Sequence, residues 1–169
     1  MRTLTVAVMT SLDDVMQAPG GPDEDTSGGF TYGGWTWPYA DPGADVMGGA
    51  FKRPFDLLLG RRTYDIFAAY WPHVAEDAPH RFIADLFNSA TKHVATHHPD
   101  TLAWQDSRAL GPDIAATVRE LKRSDGPDLL TQGSSELLHQ LLATDLVDEL
   151  RVLVTRYVRD GEVRTGSFV

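Results

Sequence analysis

The 169-residue chain has no cysteine, which excludes disulfides, thiolate nucleophiles and cysteine-ligated zinc. Cations are scarce: 15 Lys+Arg against 24 Asp+Glu leave a net charge of −9. A nucleic-acid duplex or an anionic membrane needs a basic face, so neither is an expected partner. A small anion stays admissible, because a few local arginines can outweigh the overall field. No apolar run approaches the roughly 20 residues that cross a bilayer as a helix. Met1–Thr10 alternates like a strand and lacks the continuous apolar stretch of a secretory signal, so a cytoplasmic protein is expected. Neither G-x-G-x-x-G nor a P-loop occurs, which argues against a standard dinucleotide or ATP fingerprint. Without repeats, linkers or composition breaks, residues 1–169 read as one domain.

What is present is an alternation of strands and helices. Thr3–Thr10 places Leu4, Val6 and Val8 on one side, a first strand. Gln17–Pro42 is rich in Gly, Pro and Asp, and a loop that long in a small chain is commonly functional. Its aromatics (Phe30, Tyr32, Trp35, Trp37, Tyr39) argue against simple disorder. Asp45–Arg53 reads as a weak helix, interrupted by Gly48-Gly49 and stopped before Pro54. Phe55–Leu59 reads as a buried strand and Arg62–Tyr70 as a helix. Ala78–Ala90 is expected to be helical in part, with Phe82, Leu86 and Phe87 inward. Lys92–Thr96 reads as a strand followed by a His97-His98-Pro99-Asp100 turn. A helix opens after Gly111-Pro112 with Ile114, Val118 and Leu121 on one face. Asp128–Thr131 is a strand and Ser134–Ala143 a helix, with Leu137, Leu138, Leu141 and Leu142 on one side. Val147–Val154 is a strand, and Asp160-Gly161 is a hairpin signal within 157–163. This order predicts an α/β sandwich with a largely parallel sheet.

Two segments run from a buried strand through glycine into an amphipathic helix: Phe55 to Phe67 around Gly60-Arg61-Arg62-Thr63, and Pro127 to Leu142 around Gln132-Gly133-Ser134-Ser135. Such a turn aims backbone N–H groups and the positive helix end at one point, where an anion can sit. The plainer reading of each is a capped helix start, with Thr63 or a serine as the cap and Glu136 answering the dipole. In a parallel sheet both turns open at the carboxyl edge, where ligands bind. His97 and His98 are adjacent on extended backbone and point apart, so they are not expected to chelate a metal. The Phe30–Tyr39 aromatics suit either core cover or a lid stacking on a flat heterocycle. Asp41 and Asp45 read as N-terminal dipole partners, or as a buried acid that delivers a proton.

Four ordered stretches resemble the dihydrofolate reductase-like superfamily, in the branch related to the reductase domain of the bifunctional riboflavin-biosynthesis deaminase–reductase. They are Met9-Thr-Ser-Leu-Asp-Asp14, Gly33-Gly-Trp35, Leu59-Gly-Arg-Arg-Thr-Tyr64, and Thr131-Gln-Gly-Ser-Ser-Glu-Leu137 with Val147-Asp-Glu-Leu-Arg151. The resemblance covers Met1 to about Val154. It implies a three-layer α/β/α sandwich around a mixed, mostly parallel sheet with an antiparallel C-terminal edge, binding NADPH. By it, Gly60, Arg61, Arg62 and Thr63 border the adenosine 2′-phosphate and pyrophosphate. Gln132, Gly133, Ser134 and Ser135 cover the pyrophosphate and nicotinamide side, and Thr96 and His97 the adenine. Ala7, Ser11 and Leu12 border the nicotinamide, while Asp13, Trp35 and Trp37 face the substrate.

The implied activity is hydride transfer to a pyrimidine- or pteridine-like heterocycle, with Asp45 or Asp41 as the proton donor, in a homodimer. The nearest named activity is 5-amino-6-(5-phosphoribosylamino)uracil reductase. A non-catalytic heterocycle- or nucleotide-binding protein on the same scaffold is the alternative. The C-terminus departs from the family: Val154 runs directly into Thr155-Arg-Tyr-Val158, without the glycine-rich loop the family carries there. A segment is therefore expected to be missing between Val154 and Thr155.

Overall fold

The computed structural model of the chain describes residues 1–36 and 48–154. Six strands, β1 (Leu4–Thr10), β2 (Phe55–Gly60), β3 (Lys92–Ala95), β4 (Ser107–Ala109), β5 (Asp128–Thr131) and β6 (Glu149–Val154), form one sheet in the order β4-β3-β2-β5-β1-β6. Every pairing among them is parallel. The expected antiparallel edge, its Asp160-Gly161 hairpin and the junction at Thr155 lie outside the described residues.

Four helices connect the strands among the described residues: α1 (Arg61–Tyr70), α2 (Arg81–Ser89), α3 (Ile114–Arg123) and α4 (Ser135–Ala143). The two-residue period of β2 separates the layers. Leu57 and Leu59 pack with Tyr64 and Phe67 of α1 and Phe87 of α2, whereas Leu58 packs with Val118 of α3 and Leu137 and Leu141 of α4. Leu130 and Leu129 divide between the same two clusters. The result is the expected three-layer α/β/α sandwich. Because both faces of β2 are covered, Phe55–Leu59 is a continuous buried run rather than an alternating one.

Phe87 centres the first layer, fully buried and ringed by Trp71 at 4.9 Å, Phe67 at 5.5 Å, Phe51 at 5.7 Å and Phe55 at 6.0 Å between ring centroids. Phe82 does not join it. It is 59% exposed, because the inward stripe of α2 runs through Ala84 and Phe87 and position 82 falls off it at 100° per residue. Leu142 is likewise 46% exposed, one step beyond the buried Leu137, Leu138 and Leu141 of α4.

Of the expected Asp45–Arg53 helix, the described part is a 3-10 turn at Gly49–Phe51. The last strand starts at Glu149 rather than Val147, since Asp148 is engaged by the Leu4 N–H and by Lys122. The edge strand β4 has no counterpart in the sequence reading.

Candidate functional site

The connection from β2 through α1 leads to β3 on one side, and that from β5 through α4 leads past β1 to β6 on the other. Adjacent strands β2 and β5 therefore flank a switch in winding direction, with a crevice at their carboxyl ends. Both glycine turns open there.

The two turns are joined by side chains. The Ser134 hydroxyl accepts a hydrogen bond from the Gly60 N–H at 2.8 Å and donates one to Thr63 Oγ1 at 2.8 Å. A Cβ on Gly60 would lie 2.9 Å from Ser134 Oγ and 3.0 Å from its Cβ, so glycine is what admits the contact. Gly133 and Ser134 both hold left-handed backbone, φ 71° and 60°. That conformation is costly for a serine, and it turns the hydroxyl away from its own helix. Among the described residues neither α1 nor α4 has a side-chain cap, against the plainer reading in which Thr63 or a serine caps its own helix.

The first turn of α1 has no acidic residue and begins with two arginines, the reverse of what a helix dipole favours. Arg61 is engaged internally. Its Nε faces Asp65 Oδ1 and Oδ2 at 2.9 Å, and its Nη1 reaches Thr96 Oγ1 at 3.3 Å, His98 O at 3.3 Å and Thr101 Oγ1 at 2.5 Å. Thr96 in turn accepts from the His98 N–H. Arg61 thus ties the loop after β3 to the start of α1, which brings Thr96 to the junction; His97 beside it is exposed.

Arg62 is 69% exposed in its side chain and, among the described residues, pairs with Asp25 at 3.7 Å. Hydrogen bonding from Ser27 first, and then the Arg62 guanidinium, hold the Asp25 carboxyl below its usual range. Glu136, in the first turn of α4, is a mild counterweight to an anion.

The loop that carries Asp25 is braced by its own hydrogen bonds. Gln17 Nε2 donates to Asp25 O and Ser27 O, Trp35 Nε1 to Gln17 O, and Thr36 Oγ1 to Pro19 O. Gly33 passes so close to Gly21 O and Pro22 O that a Cβ would lie 2.5 Å from each. Burial pushes the Glu24 carboxyl upward in this loop, a feature that the acid–base candidates read from sequence did not include.

At the end of β1, Ser11 and Asp13 are joined at 2.5 Å, and the Ser11 hydroxyl accepts from the Val15 N–H. Leu12 between them is 74% exposed, while Ala7 is buried in the α1–α2 layer. Gln132 is half-buried and Ser135 exposed at the mouth of the second turn. Asp41, Asp45, Trp37 and Tyr39 lie outside the described residues. Two prominent clefts lie elsewhere: one of about 770 Å³ is lined by Pro72, Arg81, Asn88 and Trp104, and one of about 670 Å³ lies at the amino edge of the sheet.

The donors present suit a phosphate-bearing cofactor: two uncapped helix starts, an exposed arginine, and glycine backbone at both turns. The chain is 26% identical over 121 residues to the Bacillus subtilis (strain 168) protein named Uncharacterized protein YyaP, an overlap of 70% of this chain and 62% of that one. It thus spans less than two thirds of that relative's length. The model of the RibD C-terminal domain family matches residues 2–158. With that match over the strand–glycine–helix turns and the sheet that joins them, the chain belongs to the RibD C-terminal domain family, the reductase domain of the riboflavin deaminase–reductase within the dihydrofolate reductase-like superfamily.

Proposed function

We propose that the protein is an NADPH-dependent reductase of a pyrimidine- or pteridine-like heterocycle, its nearest named activity being 5-amino-6-(5-phosphoribosylamino)uracil reductase of riboflavin biosynthesis. The observation that carries this reading is the Gly60–Ser134–Thr63 link, which holds two uncapped helix N-termini at one crevice. Family membership supports reductase chemistry in general. NADPH, when bound, supplies the hydride.

Arg62 would pair with a phosphate by charge-assisted bonds, and the first N–H groups of α1 and α4 would hold the pyrophosphate oxygens. Arg61 positions the Thr96–Thr101 loop at the adenine side. Ser11 and Asp13 border the nicotinamide and substrate end, and Trp35 belongs to the loop above it. Asp45 and Asp41 remain the proposed proton donors. A homodimer is part of the same reading. It is supported by β6, which at the edge of the described sheet leaves Leu150, Val152 and Val154 nearly half exposed. Gel filtration of the full chain against Val152→Lys tests that association.

The cofactor reading is tested by titrating the full chain with NADPH and NADH. Tight NADPH binding is expected, weakened by about tenfold or more in Arg62→Ala, with NADH weaker than NADPH in the unsubstituted protein. Equal and feeble binding of both cofactors overturns it. Oxidation of NADPH with one of a panel of pterins and pyrimidine ribosides is the expected second result. Binding without oxidation across the panel would instead establish a non-catalytic binding protein.

A further inference from the structure

The carboxyl edge accounts for the motifs, but the cleft at the amino edge, about 670 Å³, has an unexpected composition. Arg2, Lys52, Arg53 and Arg108 line it, against Asp56 and Asp125, in a chain whose overall charge is −9. Asp56 is already committed, because its carboxylate is shared by the Arg2 guanidinium and by His93 Nε2, the latter at 3.3 Å. Lys52 and Arg108 are exposed and have no ion-pair partner among the described residues. Among the described residues Arg53 has a single ion pair, a 3.9 Å approach to Asp128.

The floor of this cleft is built rather than incidental. The Arg2 side chain is 5% exposed. Its Nε donates to Pro127 O and its Nη2 to Asp56, while Nη1 has no hydrogen-bond partner among the described residues. A Cβ on Gly126 would lie 3.5 Å from that Nη1, and Gly126 has φ 152°. A side chain there would cover the one guanidinium arm that remains unused. His93 and Arg108 are register partners on β3 and β4, so both project to the same side of the sheet. Three of the carbonyls at the end of α3, which would repel an anion, already accept hydrogen bonds. Lys122 O accepts from Arg2 N, and Glu120 O and Leu121 O accept from Ser124 N.

We infer that the amino edge of the sheet holds a second binding site, for a small phosphate- or carboxylate-bearing anion, with Arg2 Nη1 at its floor and Lys52, Arg53 and Arg108 at its rim. A metal cation is disfavoured by the same charges. β2 runs from Asp56 in this cleft to Gly60 at the other edge, about 13 Å at strand rise, so one small anion cannot bridge the two sites. The inference does not depend on the cofactor reading.

The test titrates the full chain with inorganic pyrophosphate, and in parallel with citrate, at low ionic strength while following the His93 ring and Arg108 amide by NMR. Expected are saturable shifts with a dissociation constant of about 1 mM or tighter for at least one of the two anions. Binding should be about fivefold or more weaker in the Lys52→Ala/Arg108→Ala double variant and unchanged in Arg62→Ala. The two substituted side chains make no ion pair among the described residues, so an unchanged melting temperature confirms that the double variant is folded. Linear, unsaturable shifts for both anions overturn the inference. So does binding lost in Arg62→Ala but kept in the double variant, since it would then belong to the carboxyl edge.

Discussion

Ser134 and Thr63 share a 2.8 Å hydrogen bond although 71 positions separate them in the chain. Through it, the N-termini of two helices on opposite faces of the sheet are held to one point. The serine takes up left-handed backbone to make the bond, so local conformational energy is given up to align the two helix ends. Strain of this kind collects at sites where geometry matters more than local stability.

Substitution separates the strain from the bond. Ser134→Ala keeps the left-handed backbone and leaves the Gly60 N–H without its acceptor, an expected loss of about 1–2 kcal/mol. Ser134→Gly loses the same hydroxyl but relieves the φ of 60°, so it should be about 1 kcal/mol less destabilising than the alanine variant. Gly60→Ala forces a Cβ against Ser134 and should cost about 1–3 kcal/mol. Urea unfolding of the three variants checks the order. A glycine variant less stable than the alanine variant would show that the strain is absent.

Asp25 occupies the guanidinium that the proposed function assigns to a cofactor phosphate. A carboxylate there is an internal competitor and must yield when a phosphate arrives. Asp25→Asn removes the competing charge while keeping the shape, and is expected to tighten NADPH binding by about two- to fivefold, the scale of an exposed ion pair. Fluorescence titration measures it. Weaker NADPH binding in the variant would mean that Asp25 instead holds the loop over bound cofactor.

The sheet order follows from patterns that a linear reading captures well. Phe55–Leu59 is a run of five buried residues, and the glycine after it stands where strand passes to helix. The short edge strand β4 escaped, since Ser107-Arg108-Ala109 has three residues and no apolar alternation. Phe82 and Leu142 read as inward because both are large and apolar, yet each lies off its helix stripe. At the junctions the positions of Gly60 and Gly133 were legible, but the role of Ser134 was not. A serine before a helix reads as a cap, and nothing local announces a partner 71 positions away. The amino-edge cleft was equally invisible, because Arg2, Lys52 and Arg108 converge only when the sheet forms.

Lys92 is fully buried, with its Nζ 4.3 Å from the Trp104 ring centroid and bonded to Asn88 O at 2.8 Å and Gln105 O at 3.0 Å. Burial lowers its pKa to about 8, against a smaller opposing pull from Asp106. An unfolded lysine titrates near 10.4, so between these values the unfolded chain binds more protons than the folded one. Stability should therefore rise with pH from about 8 to about 10.4, by on the order of 3 kcal/mol from this group. Lys92→Met should flatten that rise in urea midpoints, and an unchanged slope in the variant would assign it to other groups.

His93 gives the complementary dependence on the acid side. It is 5% exposed, and burial lowers its pKa below the ordinary histidine value, with Asp56 pulling upward and Arg2 and Arg108 pushing further down. The folded protein thus prefers the neutral imidazole, while the unfolded chain takes up a proton below about pH 6.5. Stability from this burial is fully present above that pH and is lost as pH falls through the window toward the folded-state value. Comparison between about pH 7.5 and about pH 5.5 spans this window. His93→Gln should lose less urea stability over that interval than the unsubstituted protein, and the native His93 ring signal should titrate below the ordinary histidine value. Equal losses in the two proteins would place the acid sensitivity elsewhere.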